Sequence, residues 1–178
     1  MLSCVNYFAV SFATFMPELP VKFCSQCGHS VSFTKPTGDH LPRYVCDGCG
    51  FVHYQNPRMV TGCICEYESK ILLCKRTIEP RKGYWTLPAG FMENGESTEA
   101  GALRETYEES LATPQNPHLF AVISVPDVHQ VHIFYRGMLG TPTFGVTPES
   151  SEVALFAEGE IPWDEIAFPT VKRTLKNY

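Results

Sequence analysis

Residues 90–112 read Gly90-Phe91-Met92-Glu93-Asn94-Gly95-Glu96-Ser97-Thr98-Glu99-Ala100-Gly101-Ala102-Leu103-Arg104-Glu105-Thr106-Tyr107-Glu108-Glu109-Ser110-Leu111-Ala112. Glu105, Glu108 and Glu109 stand at i, i+3 and i+4, which on a helix places three carboxylates together. Like charges at that spacing destabilise a helix by about 0.2–0.5 kcal/mol per pair. A divalent cation offsets such repulsion, and carboxylates suit hard cations such as Mg²⁺, which take few protein ligands and complete their shell with substrate phosphates. The stretch therefore reads as a Mg²⁺ site for a phosphate-bearing substrate. A solvated acidic helix is the competing reading. Ser97 or Thr98 can cap the helix. Ala100, Leu103, Tyr107 and Leu111 are expected on the face opposite the carboxylates, packed on a core.

Working outward, two Cys-x2-Cys pairs precede this stretch. Cys24 and Cys27 are separated from Cys46 and Cys49 by 18 residues, and Gly28 and Gly50 follow the second Cys of each pair. That is zinc-ribbon spacing, with glycine where a tight knuckle needs a permissive backbone. Two disulfides in a secreted module are the alternative. Cys63, Cys65 and Cys74 sit in apolar strand-like contexts and read as small buried residues. A reducing cytoplasm suits the whole pattern. The ribbon, residues 22–52, is too short for a core of its own, so zinc would supply its folding free energy. Its Lys22, Lys35 and Arg43 against Asp39 and Asp47 leave it near neutral. Tyr44, Phe23, Phe33 and Phe51 can stack bases or pack the ribbon on a neighbour.

The chain has 178 residues, enough for one medium domain and a small appendage. A net charge of −5 argues against a general nucleic-acid surface but not against an anionic substrate held through a metal. Residues 1–21 form an N-terminal extension. Met1–Met16 is apolar, lacks Lys and Arg, and is interrupted by Ser3, Asn6, Ser11 and Thr14. It lacks the basic start of a signal peptide and the length to span a bilayer. An upstream extension or mis-assigned start is the preferred reading, and a weak membrane-associating or export segment the other.

Strands are expected at 59–65, 71–74, 120–125, 131–138 and 152–156, and a terminal helix within 162–175 whose last part starts at Pro169. Strands on both sides of a functional helix give an α/β/α layered domain.

Residues 90–112 resemble the Nudix box, G-x5-E-x7-R-E-U-x-E-E-x-G-U with U a bulky aliphatic. Gly90, Glu96, Arg104, Glu105, Glu108 and Glu109 match. Thr106 stands at the first U, Leu111 replaces the second Gly, and Ala112 is small for the last U. Leu111 matters because Gly tolerates the left-handed turn that ends such a helix. The resemblance covers about residues 56–178, and the ribbon beside it is similar to zinc-ribbon-containing Nudix hydrolases of ADP-ribose or FAD pyrophosphatase type. It implies an α/β fold, a Nudix α/β/α sandwich with a mixed sheet, plus the small N-terminal ribbon.

Its implied activity is metal-dependent hydrolysis of the pyrophosphate bond of a nucleoside diphosphate derivative. Glu105, Glu108, Glu109 and the Gly90 carbonyl would bind Mg²⁺ (or Mn²⁺), and Cys24, Cys27, Cys46 and Cys49 would hold a structural Zn²⁺. Glu105, Glu109 or, from a later loop, Glu149 would act as base, with Glu152 second to Glu149. Glu96 and Arg104 would pair to fix loop against helix. His129, His132 and Tyr84 can approach a substrate, while Trp85 reads as core. NADH pyrophosphatases carry a Ser-Gln-Pro-Trp-Pro-Phe-Pro-like motif that is lacking between Ala112 and Tyr135, whereas Pro126 stands where ADP-ribose-hydrolysing relatives carry a proline. ADP-ribose or FAD is therefore favoured over NADH and over damaged nucleoside triphosphates. The partner is a small nucleotide. No nucleic acid or membrane partner is expected, and a homodimer is admissible. A Nudix-fold ligand sensor, or a zinc-ribbon binding module without catalysis, is the alternative. A sensor should have lost box carboxylates, and this chain has all of them.

Overall fold

A computed structural model describes residues 20–178, so the expectations for Met1–Met16 lie outside the described residues. The chain divides into two units that meet between Pro57 and Arg58.

In the first unit, β1 (Val31–Thr34), β2 (Arg43–Cys46) and β3 (Val52–His53) form a three-stranded antiparallel sheet. It carries two knuckles. Gly28 and Gly50 take φ of 75° and 72°, and their N–H groups reach back to the carbonyls of Cys24 and Cys46. A side chain at either position would be strained.

The second unit holds a seven-stranded mixed sheet of β4 (Arg58–Tyr67), β5 (Lys70–Arg76), β6 (Trp85–Thr86), β7 (Ala89–Phe91), β8 (Gln115–Val125), β9 (Gln130–Met138) and β10 (Ser150–Ala157). Its main path runs β10-β5-β4-β9-β8, and β4 with β9 is the parallel pair. The β4–β5 hairpin pairs at Glu66↔Ile71 and Tyr67↔Lys70. Further along, β6 pairs with β5 and β7 with β4. Residues 85–91 thus run from one strand to the other, and this carries Gly90 to the helix described next.

Adjacent residues of one strand serve opposite layers, as a period of two requires. Cys63, Cys65 and Tyr135 pack with Ala102 of α1 (Thr98–Ser110). Ile64 and Phe134 pack with Val171 and Leu175 of α2 (Pro169–Lys176). A helix therefore covers each face of the sheet. Among the described residues no helix is long and apolar enough to cross a membrane.

Two expectations need correction. The apolar stripe proposed for α1 is not its buried face: Tyr107 and Leu111 are exposed, as is Ala100. The buried residues are Gly101, Ala102, Thr106, Glu109 and Ser110. Positions 102, 106 and 109 follow the i, i+4, i+7 rule, so Glu109 belongs to the packed face. Small residues let the helix approach closely, and a Cβ on Gly101 would lie 2.8 Å from Thr61 Oγ1. The hydroxyls on this face are satisfied within the helix, Thr106 donating to the Ala102 carbonyl at 2.7 Å and Ser110 to that of Thr106 at 2.6 Å. The terminal helix is also shorter than expected. Phe168 is extended because a residue before proline is excluded from helical conformation, Pro169 takes the first helical position, and only a 3-10 turn, Trp163–Glu165, precedes it.

Ser97 caps α1, its Oγ accepting the Ala100 N–H at 3.1 Å. Leu111 ends the helix in the left-handed region, φ 59° and ψ 9°, and its N–H meets the Tyr107 carbonyl. The turn that glycine usually makes is thus made by leucine, at a cost of about 1 kcal/mol. Leu111→Gly should raise stability by about 0.5–1 kcal/mol in urea denaturation, since the side chain is half exposed and little burial is lost. A loss of stability would show that the Leu111 side chain outweighs the backbone strain.

Candidate active site

Arg104 organises the site. Its guanidinium grips Glu96 with two hydrogen bonds, Nε to Oε2 at 3.0 Å and Nη2 to Oε1 at 2.8 Å. Nη1 reaches Glu105 and Glu108, both at 2.9 Å, and Nη2 donates to the Phe91 carbonyl at 3.1 Å. The Glu96–Arg104 pair expected from sequence is present. The sequence reading missed that the same guanidinium offsets the Glu105–Glu108 repulsion. Arg104 holds the Glu96 carboxyl down to about 2, and Glu96 in turn accepts the Glu93 N–H at 2.7 Å, which fixes the loop before α1.

Gly90 lies against Glu105 so closely that a Cβ there would overlap the Glu105 carboxylate. A larger residue at this position would displace the Glu105 carboxylate from where Arg104 holds it. Glu109 is 6% exposed, and its Oε2 accepts the Ala89 N–H at 3.0 Å. Burial pushes its carboxyl up to about 8, helped by the nearby Glu105 and Glu149. Burial raises Glu105 as well. The carboxylates that α1 presents to residues 89–90 are therefore held in a place that disfavours their charge. Hard oxygen donors in such a setting fit a divalent cation, which would supply the missing compensation.

Glu149 lies in the turn before β10, within electrostatic reach of Glu105, Glu109 and Arg76. Glu152, the second choice, is engaged elsewhere: it faces Lys75 across the β10–β5 ladder and accepts its Nζ at 2.7 Å. Sequence reasoning also missed Arg76. This cation ends β5, donates Nε to the Pro80 carbonyl at 2.9 Å and lies over the Phe168 ring at 5.1 Å. A basic residue closing the apolar run Ile71–Cys74 was the available signal.

Trp85 is core and meets Phe156 edge-on at 4.9 Å. Tyr84 is exposed beneath the Arg81 guanidinium at 5.5 Å. His132 bonds through Nε2 to Gln130 at 2.9 Å, and burial lowers its ring to about 4, so it is neutral at physiological pH. His129 caps the 3-10 turn opened by Pro126, a structural use for both residues.

In the first unit the thiols of Cys24, Cys27, Cys46 and Cys49 all lie within 4.8 Å of one another, and none is in a disulfide. Backbone N–H groups of Cys49 and Gly48 point at Cys46 Sγ at 3.3 and 3.4 Å, and hold that thiol below its ordinary range. Four converging sulfurs with N–H donors behind them fit a tetrahedral Zn²⁺.

Residues 56–176 match the NUDIX domain model. The chain belongs to the Nudix hydrolase family. Residues 22–55 match the Nudix N-terminal model, a zinc ribbon, so in this Nudix hydrolase the ribbon precedes the NUDIX domain in the chain. A NUDIX hydrolase from Nitrosomonas europaea shares the fold at a TM-score of 0.85 and 52% identity, over 89% of this chain and 90% of that one. An ADP-ribose pyrophosphatase of Methanocaldococcus jannaschii is 42% identical over 74 residues, 42% of this chain and 44% of its own length. The NAD-capped RNA hydrolase NudC of Haemophilus influenzae is 34% identical over 101 residues, 56% of this chain and 37% of its own. The chain thus spans less than half the length of these two relatives. The NUDIX domain of Shewanella oneidensis NrtR, solved with ADP ribose, shares the fold alone, with a TM-score of 0.60 and 18% identity.

Proposed function

We propose that this Nudix hydrolase is a Mg²⁺- or Mn²⁺-dependent pyrophosphohydrolase of nucleoside diphosphate derivatives, with ADP-ribose as the leading substrate and FAD next. The observation that carries the reading is the buried Glu109 beside Glu105 and Gly90, whose burial outweighs the pull of the Ala89 N–H and of Arg76 on its carboxyl. The similarity to an ADP-ribose pyrophosphatase supports the substrate. Free thiols throughout the described residues agree with a reducing cytoplasm.

Glu105, Glu108, Glu109 and the Gly90 carbonyl would hold the cation. When bound, it neutralises phosphoryl oxygens and lowers the pKa of water. Arg104 keeps Glu105 and Glu108 oriented, so that both are in place before substrate arrives. Glu149 takes the proton of the attacking water. A new P–O bond forms at one phosphorus, the bridging P–O bond breaks, and ADP-ribose yields AMP and ribose 5-phosphate.

The second reading, hydrolysis of an NAD-linked substrate including an RNA cap, rests on the similarity to NudC. A panel of ADP-ribose, FAD, NADH, dinucleoside polyphosphates, triphosphates and NAD-capped RNA with Mg²⁺, resolved by product chromatography, decides between them. ADP-ribose should give the highest kcat/KM. NADH or capped RNA exceeding it tenfold would transfer the assignment.

Glu149→Gln should lower kcat by about 10²-fold or more while shifting the half-saturating Mg²⁺ little, because Glu149 serves water rather than the cation. Glu152→Gln should leave kcat nearly unchanged, since Glu152 is occupied by Lys75. The reverse pattern would move the base to Glu152. Full activity in both would return it to Glu105 or Glu109.

A further inference from the structure

The turn that carries Glu149 is closely tied to its surroundings. Thr147 and Ser150 close it with reciprocal main-chain hydrogen bonds, both 3.2 Å. The Thr147 hydroxyl accepts the Glu149 N–H at 3.2 Å. On the other side, Thr77 donates twice: its N–H to the Glu149 carbonyl at 3.0 Å and its Oγ1 to the Pro148 carbonyl at 2.7 Å. The Glu149 main chain is thus engaged at both its N–H and its carbonyl, and its side chain is left for other work.

Strand pairing accounts for one of these bonds. Ser150↔Arg76 is the outermost pair of the β10–β5 ladder, and a bulge between Ser150 and Glu152 shifts the register there, a feature that commonly re-aims a side chain. The Thr77 N–H to Glu149 carbonyl bond continues the Ser150↔Arg76 register by one step. The Thr77 hydroxyl bond to the Pro148 carbonyl lies outside the ladder. Thr77 thus spends its hydroxyl on a neighbouring loop carbonyl, not on its own backbone as a threonine in a turn commonly does.

We propose that Thr77 is a positioning residue: its paired hydrogen bonds to Pro148 and Glu149 set the Glu149 carboxylate at its working distance from Glu105 and Glu109. This rests on Glu149 being the base. A displacement of about 1 Å at such a group can cost about 10²-fold in rate, so one hydroxyl suffices to matter.

Thr77→Val keeps the backbone N–H and the side-chain shape and removes only the hydroxyl donor, while Thr77→Ser retains that donor. Measured on ADP-ribose with Mg²⁺, Thr77→Val should lower kcat by about tenfold or more, with KM and half-saturating Mg²⁺ within about twofold of the parent. Thr77→Ser should restore kcat to within about twofold. Added to Glu149→Gln, Thr77→Val should cost nothing further, because the group it positions is gone. The proposal is overturned if Thr77→Val keeps full kcat, if Ser fails as badly as Val, or if the two losses multiply. Full kcat in Glu149→Gln would overturn both this proposal and the assignment of the base. A large loss in Glu149→Gln with none in Thr77→Val would overturn this proposal alone.

Discussion

Replacing Glu109 with Gln is expected to lower turnover on ADP-ribose by roughly 10³-fold or more while making the metal-free protein more stable near neutral pH. The two effects share one cause. Glu109 is buried, and its carboxyl is raised from 4.5 to about 8. A carboxyl raised on folding favours the native state while protonated. That contribution is complete below about pH 4.5 and is lost as pH rises through about 8, amounting to roughly 3–5 kcal/mol. The metal-free parent should therefore lose thermal stability across this window. Glu109→Gln should not, since a neutral amide oxygen can still accept the Ala89 N–H. Thermal denaturation from pH 4.5 to 8 in a chelator checks this, and added Mg²⁺ should flatten the parent's curve alone. Parallel curves for the two proteins would show that Glu109 carries no such strain.

Removing zinc should have the next largest effect, confined to the ribbon. The first unit has a small sheet and an array of exposed aromatics, including Phe23, Phe33 and Tyr54, so little apolar burial holds it. Zinc in comparable peptides contributes on the order of 10 kcal/mol. Cys46→Ser removes a buried sulfur from the cluster and should abolish folding of residues 20–57, read as loss of their dispersed NMR signals. The Arg58–Tyr178 unit has its own core and should keep its fold and part of its activity. Purified protein should contain about one zinc per chain. Two disulfides without zinc would contradict this, and loss of the catalytic unit's fold would show that the ribbon completes it.

How far sequence reasoning reached depended on whether a signal was local. Ser97 as cap, Gly28 and Gly50 in the knuckles, Pro169 at a helix start and the Glu96–Arg104 pair each express the needs of one residue and its near neighbours. The buried face of α1 did not. Tyr107 and Leu111 look like core by hydrophobicity, yet the chain rotates the helix so that Glu109 reaches Ala89 and small residues meet β4. Tertiary contact overrode the apolar pattern there. Thr77 was invisible for a related reason, since its partner Pro148 lies far away in the chain and its residue type is ordinary. Leu111 was flagged by its departure from the Nudix pattern, and it adopts the left-handed turn regardless.

The proposed hydrolysis of a pyrophosphate bond needs both the box carboxylates and a bound divalent cation. ADP-ribose is to be incubated with parent, Glu108→Gln and Glu109→Gln proteins, with Mg²⁺ or with chelator, and AMP and ribose 5-phosphate quantified. Both products should come from the parent with Mg²⁺ alone, and at most trace amounts from either variant. Parent-level turnover in both variants, or turnover indifferent to the chelator, would contradict this requirement.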